Sequence, residues 1–287
     1  MQIAEQYVGR LELAKFHHPP PRFENVRVFR MQHVNPPYAE APDWQCSVYY
    51  FWYEYLRRHA GYFATCQNNG VGDYAEQFAV FGNVHELDFA DWWGQYFDLF
   101  AEPHSAFLMN KRKVEKGENI PRSGFIEFVQ IDMRYSETDI IRRVRDLVRI
   151  SKSRAAYQYG KYLERTGGDV ELAQRLTKRR RVRSHAKYKV GSRPSLPALY
   201  QHLRVWDAKV ENPQADDADL FDVASVPAKL PYSEAEIASL KAEGLKVADL
   251  EKANRRVKSL AVQRHLRIAS QYIDNVVNGE FPKRSTR

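Results

Sequence analysis

The fold is decided by residues 43–62, which read DWQCSVYYFWYEYLRRHAGY. Large apolar side chains recur in this stretch at steps of three and four residues, namely at Trp44, Val48, Phe51, Trp52, Tyr55, Leu56 and Tyr62. This spacing is typical of a helix that buries one face or nearly all of its surface. Asp43 and Ser47 are the candidate N-caps, and Gly61 is the candidate end. The stretch therefore predicts an aromatic helix that packs into a core.

Residues 89–100, FADWWGQYFDLF, repeat the helical spacing and stop before Pro103. Two aromatic helices that face each other would form a core, since large rings bury the most apolar surface. An aromatic cage or a base-stacking surface is the alternative. The core is favoured because Arg57 and Arg58 are the only markedly basic residues in the two helices.

The rest of the sequence predicts mostly helix. Short strands are expected at Val26–Met31 and Phe125–Met133, where β-branched and aromatic residues predominate. A long final helix over 248–278 ends at Gly279, with Phe281 as its hydrophobic C″ contact. Capping signals predict further helices, which begin after Ser136, Asp169, Ser195 and Ser233. The predicted fold class is mainly α with a minor β component (α+β), with an aromatic-rich N-terminal half and a basic helical C-terminal half.

Charge divides the chain into blocks. Residues 136–206 carry 18 basic and 6 acidic groups, whereas residues 207–236 carry 2 and 8. Together with the apolar patterns, this predicts an aromatic-rich N-terminal domain (1–122), a strand-helix basic domain (123–206), an acidic linker (207–232) and a C-terminal long helix (233–287). The 248–278 helix would be about 46 Å long at 1.5 Å per residue. A helix of that length is expected to span both halves or to support association with a protein partner or a second copy.

The net charge is concentrated in residues 178–193, KRRRVRSHAKYKVGSR. This run holds three Lys, five Arg and no acidic residue, so its eight charges equal the formal net charge of +8 of the whole chain. A dense cationic field attracts a polyanion, and the Arg fork suits bidentate contact with phosphate. We therefore expect nucleic acid, DNA rather than RNA, to be bound by Lys178, Arg179, Arg180, Arg181, Arg183, Lys187, Lys189 and Arg193.

Other residues are expected to assist the basic run. His185 and Tyr188, within the run, are predicted to pack against sugar or base. The helix predicted after Ser136 has a cationic face opposite its apolar stripe, which carries Arg142, Arg143, Arg145 and Arg149. A solvent-exposed charged loop is the simpler explanation of the run. The functional alternative is a protein-binding adaptor or inhibitor module whose basic run engages an acidic protein surface, or is masked by the acidic block 216–222.

The sequence lacks the motifs of common catalytic sites: a Gly-rich phosphate loop, a dinucleotide-binding loop, a zinc-binding H-E-x-x-H and a nucleophile elbow. Glu127 and Asp132 share a predicted strand, but their spacing of five puts them on opposite faces. Cys46 and Cys66 are too few for a disulfide scaffold or a four-cysteine metal site. We therefore predict no catalytic residue, no cofactor and no metal. No run of eighteen apolar residues and no secretion signal occurs, so we expect no membrane contact and a cytoplasmic location.

Two short motifs carry a resemblance. Residues 89–100 form an F-x-x-W-W helix that ends in L-F through Phe89, Trp92, Trp93, Leu99 and Phe100. This motif resembles uncharacterised proteins carried by bacterial phages, plasmids and other mobile elements, and residues 279–282, GEFP, are similar to the ends of such proteins. The resemblance implies a mobile-element or host-defence setting and assigns no catalytic residue. The expected function is that of a non-catalytic, nucleic-acid-binding accessory protein.

Overall fold

The computed structural model describes residues 1–27, 35–102, 137–177, 184, 186–191, 194–244 and 246–283. The chain forms two compact units: Met1–Glu102 with Ala186–Arg287 is the first unit, and Pro103–His185 is the second unit. The first unit joins two distant parts of the sequence because the early aromatic helices pack on the last helices. The predicted domain borders at residues 122, 206 and 232 rest on charge and apolar patterns along the sequence. The two units are instead separated by contacts between distant parts of the chain, so the two divisions differ.

The predicted fold class, mainly α with a minor β component, is confirmed. Strands β1 (Lys15–Phe16) and β2 (Ala101–Glu102) pair antiparallel. The predicted strands at Val26–Met31 and Phe125–Met133 fall mostly or wholly outside the described residues. The described helices are α1 (Glu5–Leu13), α2 (Val48–Arg57), α3 (Ala60–Gln67), α4 (Ala75–Phe81), α5 (Phe89–Tyr96), α6 (Glu137–Thr166), α7 (Val170–Thr177), α8 (Leu196–Glu211), α9 (Asp217–Val223), α10 (Glu234–Ala242) and α11 (Ala248–Val276).

Side-chain caps set where α2 and α3 begin. The Tyr49 N–H donates to Ser47 Oγ at 3.3 Å, which makes Ser47 the N-cap of α2. The Tyr62 N–H donates to the His59 Nδ1 atom at 3.0 Å. Because His59 caps a new helix, α2 ends at Arg57, before the predicted end at Gly61. The stretch 43–62 therefore contains two helices joined by a tight bend.

The two aromatic helices form the main core of the first unit, as predicted. Trp52 on α2 and Trp92 and Trp93 on α5 have no exposed side-chain surface. Their rings contact other aromatic rings, with 4.9 Å between the ring centroids of Trp52 and Phe100 and 5.0 Å between those of Tyr49 and Trp93. These rings are inaccessible to a ligand, which excludes them as a base-stacking surface.

Helix α11 ends in a Schellman motif. The Glu280 N–H donates to the Asn275 carbonyl at 3.1 Å and the Gly279 N–H to the Val276 carbonyl at 3.0 Å, with Gly279 at a φ of 77°. Glycine is favoured there because left-handed backbone is costly for other residues. Glu280 is therefore the C″ residue, whereas the sequence favoured Phe281. Phe281 follows it and is buried beside α2, which fastens the end of α11 to the aromatic core.

A second, smaller core lies between α8, α9 and α11. It buries Val205, Leu220 and Val262 completely. The predicted acidic linker (207–232) contains α9, whose apolar pair Leu220 and Phe221 docks on α11. The partly buried face of α11 thus contacts its own unit, and the predicted association through 248–278 stays a prediction.

The acidic residues of α9 pair with α11. The closest contacts join Asp216 Oδ2 to Arg255 Nη2 at 2.9 Å and Asp222 Oδ2 to Lys258 Nζ at 2.8 Å. Ion pairs at exposed side chains contribute little stability, typically 0–1 kcal/mol each. Asp217 Oδ1 also lies 3.5 Å from Lys209 Nζ of α8, so among the described residues the acidic block pairs with α8 and α11, and its masking of the basic run stays a prediction.

A histidine pair predicts how the stability of the first unit depends on pH. His202 Nδ1 on α8 lies 2.7 Å from His265 Nδ1 on α11, so at most one of the two nitrogens carries a proton in this hydrogen bond. Burial lowers the pKa of His265, as does the neighbouring Arg264 guanidinium, and burial also lowers the pKa of His59 and of His85. The unfolded chain then binds protons that the folded chain does not, so we expect the free energy of unfolding to fall as pH drops below about 6.5.

Urea unfolding followed by tryptophan fluorescence at pH 7.5, 6.5 and 5.5 measures this dependence. His265→Gln should remove part of the change in midpoint between pH 7.5 and 5.5. A midpoint that stays constant over this range would contradict the prediction.

Candidate nucleic-acid interface

The structure describes only the C-terminal part of the predicted basic run. Lys187, Tyr188 and Lys189 lie in the described segment 186–191. His185 and the other predicted contacts of the run lie outside the described residues. These other contacts are Lys178, Arg179, Arg180, Arg181, Arg183 and Arg193. Their part in binding stays a prediction.

Segment 186–191 is fastened to the first unit by main-chain hydrogen bonds. The Tyr188 N–H donates to the Leu99 carbonyl at 2.9 Å, and the Gly191 N–H donates to the Phe281 carbonyl at 2.8 Å. Val190 pairs with Phe281 as an isolated parallel bridge. The segment is therefore held between the end of the second aromatic helical stretch and the end of α11.

Tyr188, which was predicted to contact sugar or base, is half-buried and packs against the core. Its ring centroid lies 4.9 Å from that of Phe81 and 6.0 Å from that of Trp52. Gly279 packs so closely on the same ring that an added Cβ would lie 2.4 Å from Tyr188 Cδ1. Burial raises the pKa of the phenol. Tyr188 therefore connects the basic run to the core, and its contact with sugar or base stays a prediction.

The two lysines beside Tyr188 remain exposed. The Lys187 Nζ atom lies 5.6 Å from the centroid of the Tyr188 ring, within the range of a cation–π contact. Burial alternates along this segment, since Ala186 and Val190 are buried and Tyr188 is half-buried, whereas Lys187 and Lys189 are exposed. The described end of the basic run thus presents cations on a fixed support.

Helix α6 carries the second predicted set of cations. Arg145 and Arg149 are exposed, and Arg142 and Arg143 lie on the same helix. Its sequence holds eight basic and four acidic residues, so the second unit contributes a net positive helix about 45 Å long. Helix α7 follows after a turn at Gly167, and the Leu172 N–H donates to Asp169 Oδ1 at 2.9 Å, which confirms the predicted cap.

Three tyrosines on α6 are exposed, and none of them was predicted to be a site residue. Tyr157, Tyr159 and Tyr162 expose 38%, 53% and 59% of their surface. The rings of Tyr159 and Tyr162 stack, with 6.3 Å between centroids and 17° between planes. Their spacing of three residues was the available signal, because residues three apart share a helix face.

Helix α11 presents a second cationic face that the sequence analysis also missed. Four exposed cations on this face make no ion pair with another described residue: Lys252, Arg256, Arg264 and Arg267. Their spacing of four, eight and three residues places them along one side of the helix. The predictions for this helix concerned only its length, its end and its association with a partner, so this side was overlooked. These four cations are available to an anion because the acidic groups of α9 pair with Arg255 and Lys258 instead.

The remaining features of the described residues concern metal-ligating groups, a cleft and the lengths of the helices. Among these residues, no group of three or more His, Cys, Asp or Glu side chains is placed to hold a metal ion. A cleft of about 450 Å³ between α9, α10 and α11 is lined by charges that pair with one another, such as Lys241 with Glu251 at 2.6 Å. None of the described helices has both the length and the apolar character needed to cross a bilayer.

Comparison of the chain with protein-family models, with curated proteins and with solved structures finds no match.

Proposed function

We propose that this protein binds nucleic acid, DNA rather than RNA, as a non-catalytic accessory protein. Its contacts would come from the basic run 178–193, with Arg142, Arg143, Arg145 and Arg149 of α6 assisting. The setting that we propose is a mobile element or host-defence system and the cytoplasm, in line with the resemblance carried by residues 89–100 and 279–282.

One observation carries the proposal. Segment 186–191 is hydrogen-bonded to the rest of the first unit through the main chain of Tyr188 and Gly191, while Lys187 and Lys189 are exposed on either side of the half-buried Tyr188. A cationic segment on a rigid support loses less conformational entropy on binding than a free loop would. This arrangement favours a binding role over that of a freely solvated charged loop.

Salt dependence tests the proposal, because each phosphate that a cation neutralises releases a counterion. If about six phosphates are neutralised, the logarithm of the association constant for duplex DNA should fall with the logarithm of salt concentration at a slope of about −5. A triple Arg179→Ala, Arg180→Ala, Arg181→Ala variant should flatten this slope by about three. It should weaken binding to all sequences alike, since phosphate contacts do not read bases.

A matched variant separates this surface from general basicity. Lys252→Ala, Arg256→Ala, Arg264→Ala removes three charges from the basic side of α11, which is not among the proposed contacts, and should leave most of the slope intact. Equal flattening by both variants would indicate diffuse attraction. Binding that is absent, or that is indifferent to the triple arginine change, would overturn the proposal.

A further inference from the structure

We infer that Tyr159 and Tyr162 of α6 form a stacking platform for unpaired bases, so that single-stranded nucleic acid is the preferred ligand. This inference rests on the proposed function, because it names the form of nucleic acid that the basic surfaces would hold. The ligand is defined by its chemistry: a polyanionic strand whose base faces are accessible.

The geometry of the two rings suits this role. Both side chains are more than half exposed, and their planes differ by only 17°. Nearly parallel rings present their faces in one orientation, so a base stacked on one ring is aligned with the other ring. Gly160, which lies between them in sequence, is buried, so the side of the helix that carries the tyrosines is the open one.

Exposed cations lie on the same helix as the rings. Arg149 lies 10 residues before Tyr159 and Arg145 lies 17 residues before Tyr162, which is about 15 and 25 Å along the axis. Lys161 Nζ lies 6.0 Å from the ring centroid of Tyr157, the third exposed tyrosine, and pairs with Glu164 Oε2 at 2.6 Å. Cations that track a backbone together with aromatic side chains that stack bases are the features of single-strand binding surfaces.

Base pairing determines which form of nucleic acid the rings can contact. In a duplex, each base is stacked between its neighbours, so its faces are closed to a protein ring except at ends and bulges. In a single strand, the bases can be splayed out and stacked on aromatic side chains. The tyrosines therefore discriminate by strandedness, whereas the basic residues alone bind either form.

The experiment measures binding of the full chain to fluorescently labelled oligonucleotides by anisotropy. The probes are a 20-nucleotide DNA strand, an RNA strand of the same sequence, and the DNA duplex. Tyr159→Ala with Tyr162→Ala should weaken single-strand binding by 10-fold or more, since each stacked base contributes about a factor of ten. Duplex binding should change less than about threefold, and the salt slope should stay constant because tyrosine carries no charge.

Matched variants keep the test specific. Tyr159→Phe with Tyr162→Phe keeps both rings and should bind a single strand within about twofold of the unchanged protein. Tyr232→Ala removes a tyrosine that is 37% exposed in the first unit and should have no effect. Circular dichroism of each variant establishes that α6 has kept its helix.

The outcomes separate this inference from the proposed function. Equal weakening of single-strand and duplex binding, or no weakening, would overturn the platform while leaving nucleic-acid binding in place. A change in oligomeric state in sedimentation velocity, without loss of single-strand affinity, would show that the rings contact protein and would also overturn it. An unchanged protein that binds none of the three probes would instead overturn the proposed function.

Discussion

Replacing Phe281 by alanine is expected to lower the free energy of unfolding of the first unit by about 4 kcal/mol. The ring is 1% exposed and lies among Trp52, Tyr55 and Tyr272, with centroid distances of 5.7, 5.1 and 5.8 Å. Truncation would remove these contacts and leave a cavity where three elements meet. The loss should be visible in urea unfolding, because all five tryptophans of the chain belong to the first unit and report on it selectively.

The control is Phe63→Ala, which removes the same side chain from a site that is 45% exposed. Its free energy of unfolding should change by no more than about 0.5 kcal/mol. Phe281→Leu refills part of the volume, so its loss of unfolding free energy should lie between those of Phe281→Ala and Phe63→Ala. If Phe281→Ala unfolded at the same urea concentration as the unchanged protein, the contacts of Phe281 with the aromatic core would not stabilise the first unit.

Replacing Gly279 by alanine is expected to cost about 3 kcal/mol of stability, from two effects. The φ of 77° is a left-handed conformation that costs an L-residue about 1–2 kcal/mol. The new methyl group would lie 2.4 Å from two atoms of the Tyr188 ring, and such overpacking costs about 1–3 kcal/mol. The change should be measured by urea unfolding, as for Phe281.

Gly244 provides the matched control for Gly279. Its φ of 78° is almost the same, but no atom lies within 4 Å of an added Cβ. Gly244→Ala should therefore show only the conformational cost, about 1–2 kcal/mol. In a double variant, Tyr188→Ala removes the ring that the methyl group of Gly279→Ala would meet, so the two changes together should cost less than their sum. Strict additivity would contradict the proposed packing of Gly279 against Tyr188.

The aromatic core could be predicted from the sequence because it depends on local periodicity. Trp52 and Trp92 each lie on a stretch where large rings recur every three or four residues, and a helix with this spacing buries the rings along one face. The capping box formed by Ser233 and Glu236 is equally local, and the structure confirms it. The break at His59 was missed because a histidine ring is an uncommon N-cap.

The residues whose surroundings the sequence did not reveal are those whose environment comes from distant parts of the chain. Tyr188 has lysines on both sides, and only its contacts with Leu99 and Gly279 show that it packs against the core. Leu220 and Phe221 sit among aspartates, so charge suggested a linker, whereas their contacts with α11 decide the outcome. The basic side of α11 was missed because only the packing of α9 shows which cations of this helix form ion pairs and which do not.

The return of the chain to the first unit has a consequence for synthesis on the ribosome. Residues 48–100, which carry these aromatic rings, are synthesised early. The core that encloses the rings also needs Phe281, which is synthesised about 180 residues later. At roughly 5–20 residues per second, these aromatic surfaces stay without their final cover for about 10–35 seconds. During that time the nascent protein exposes its most apolar surface, so it is a natural substrate for chaperones. A chain cut short before α11 would carry this exposed surface permanently.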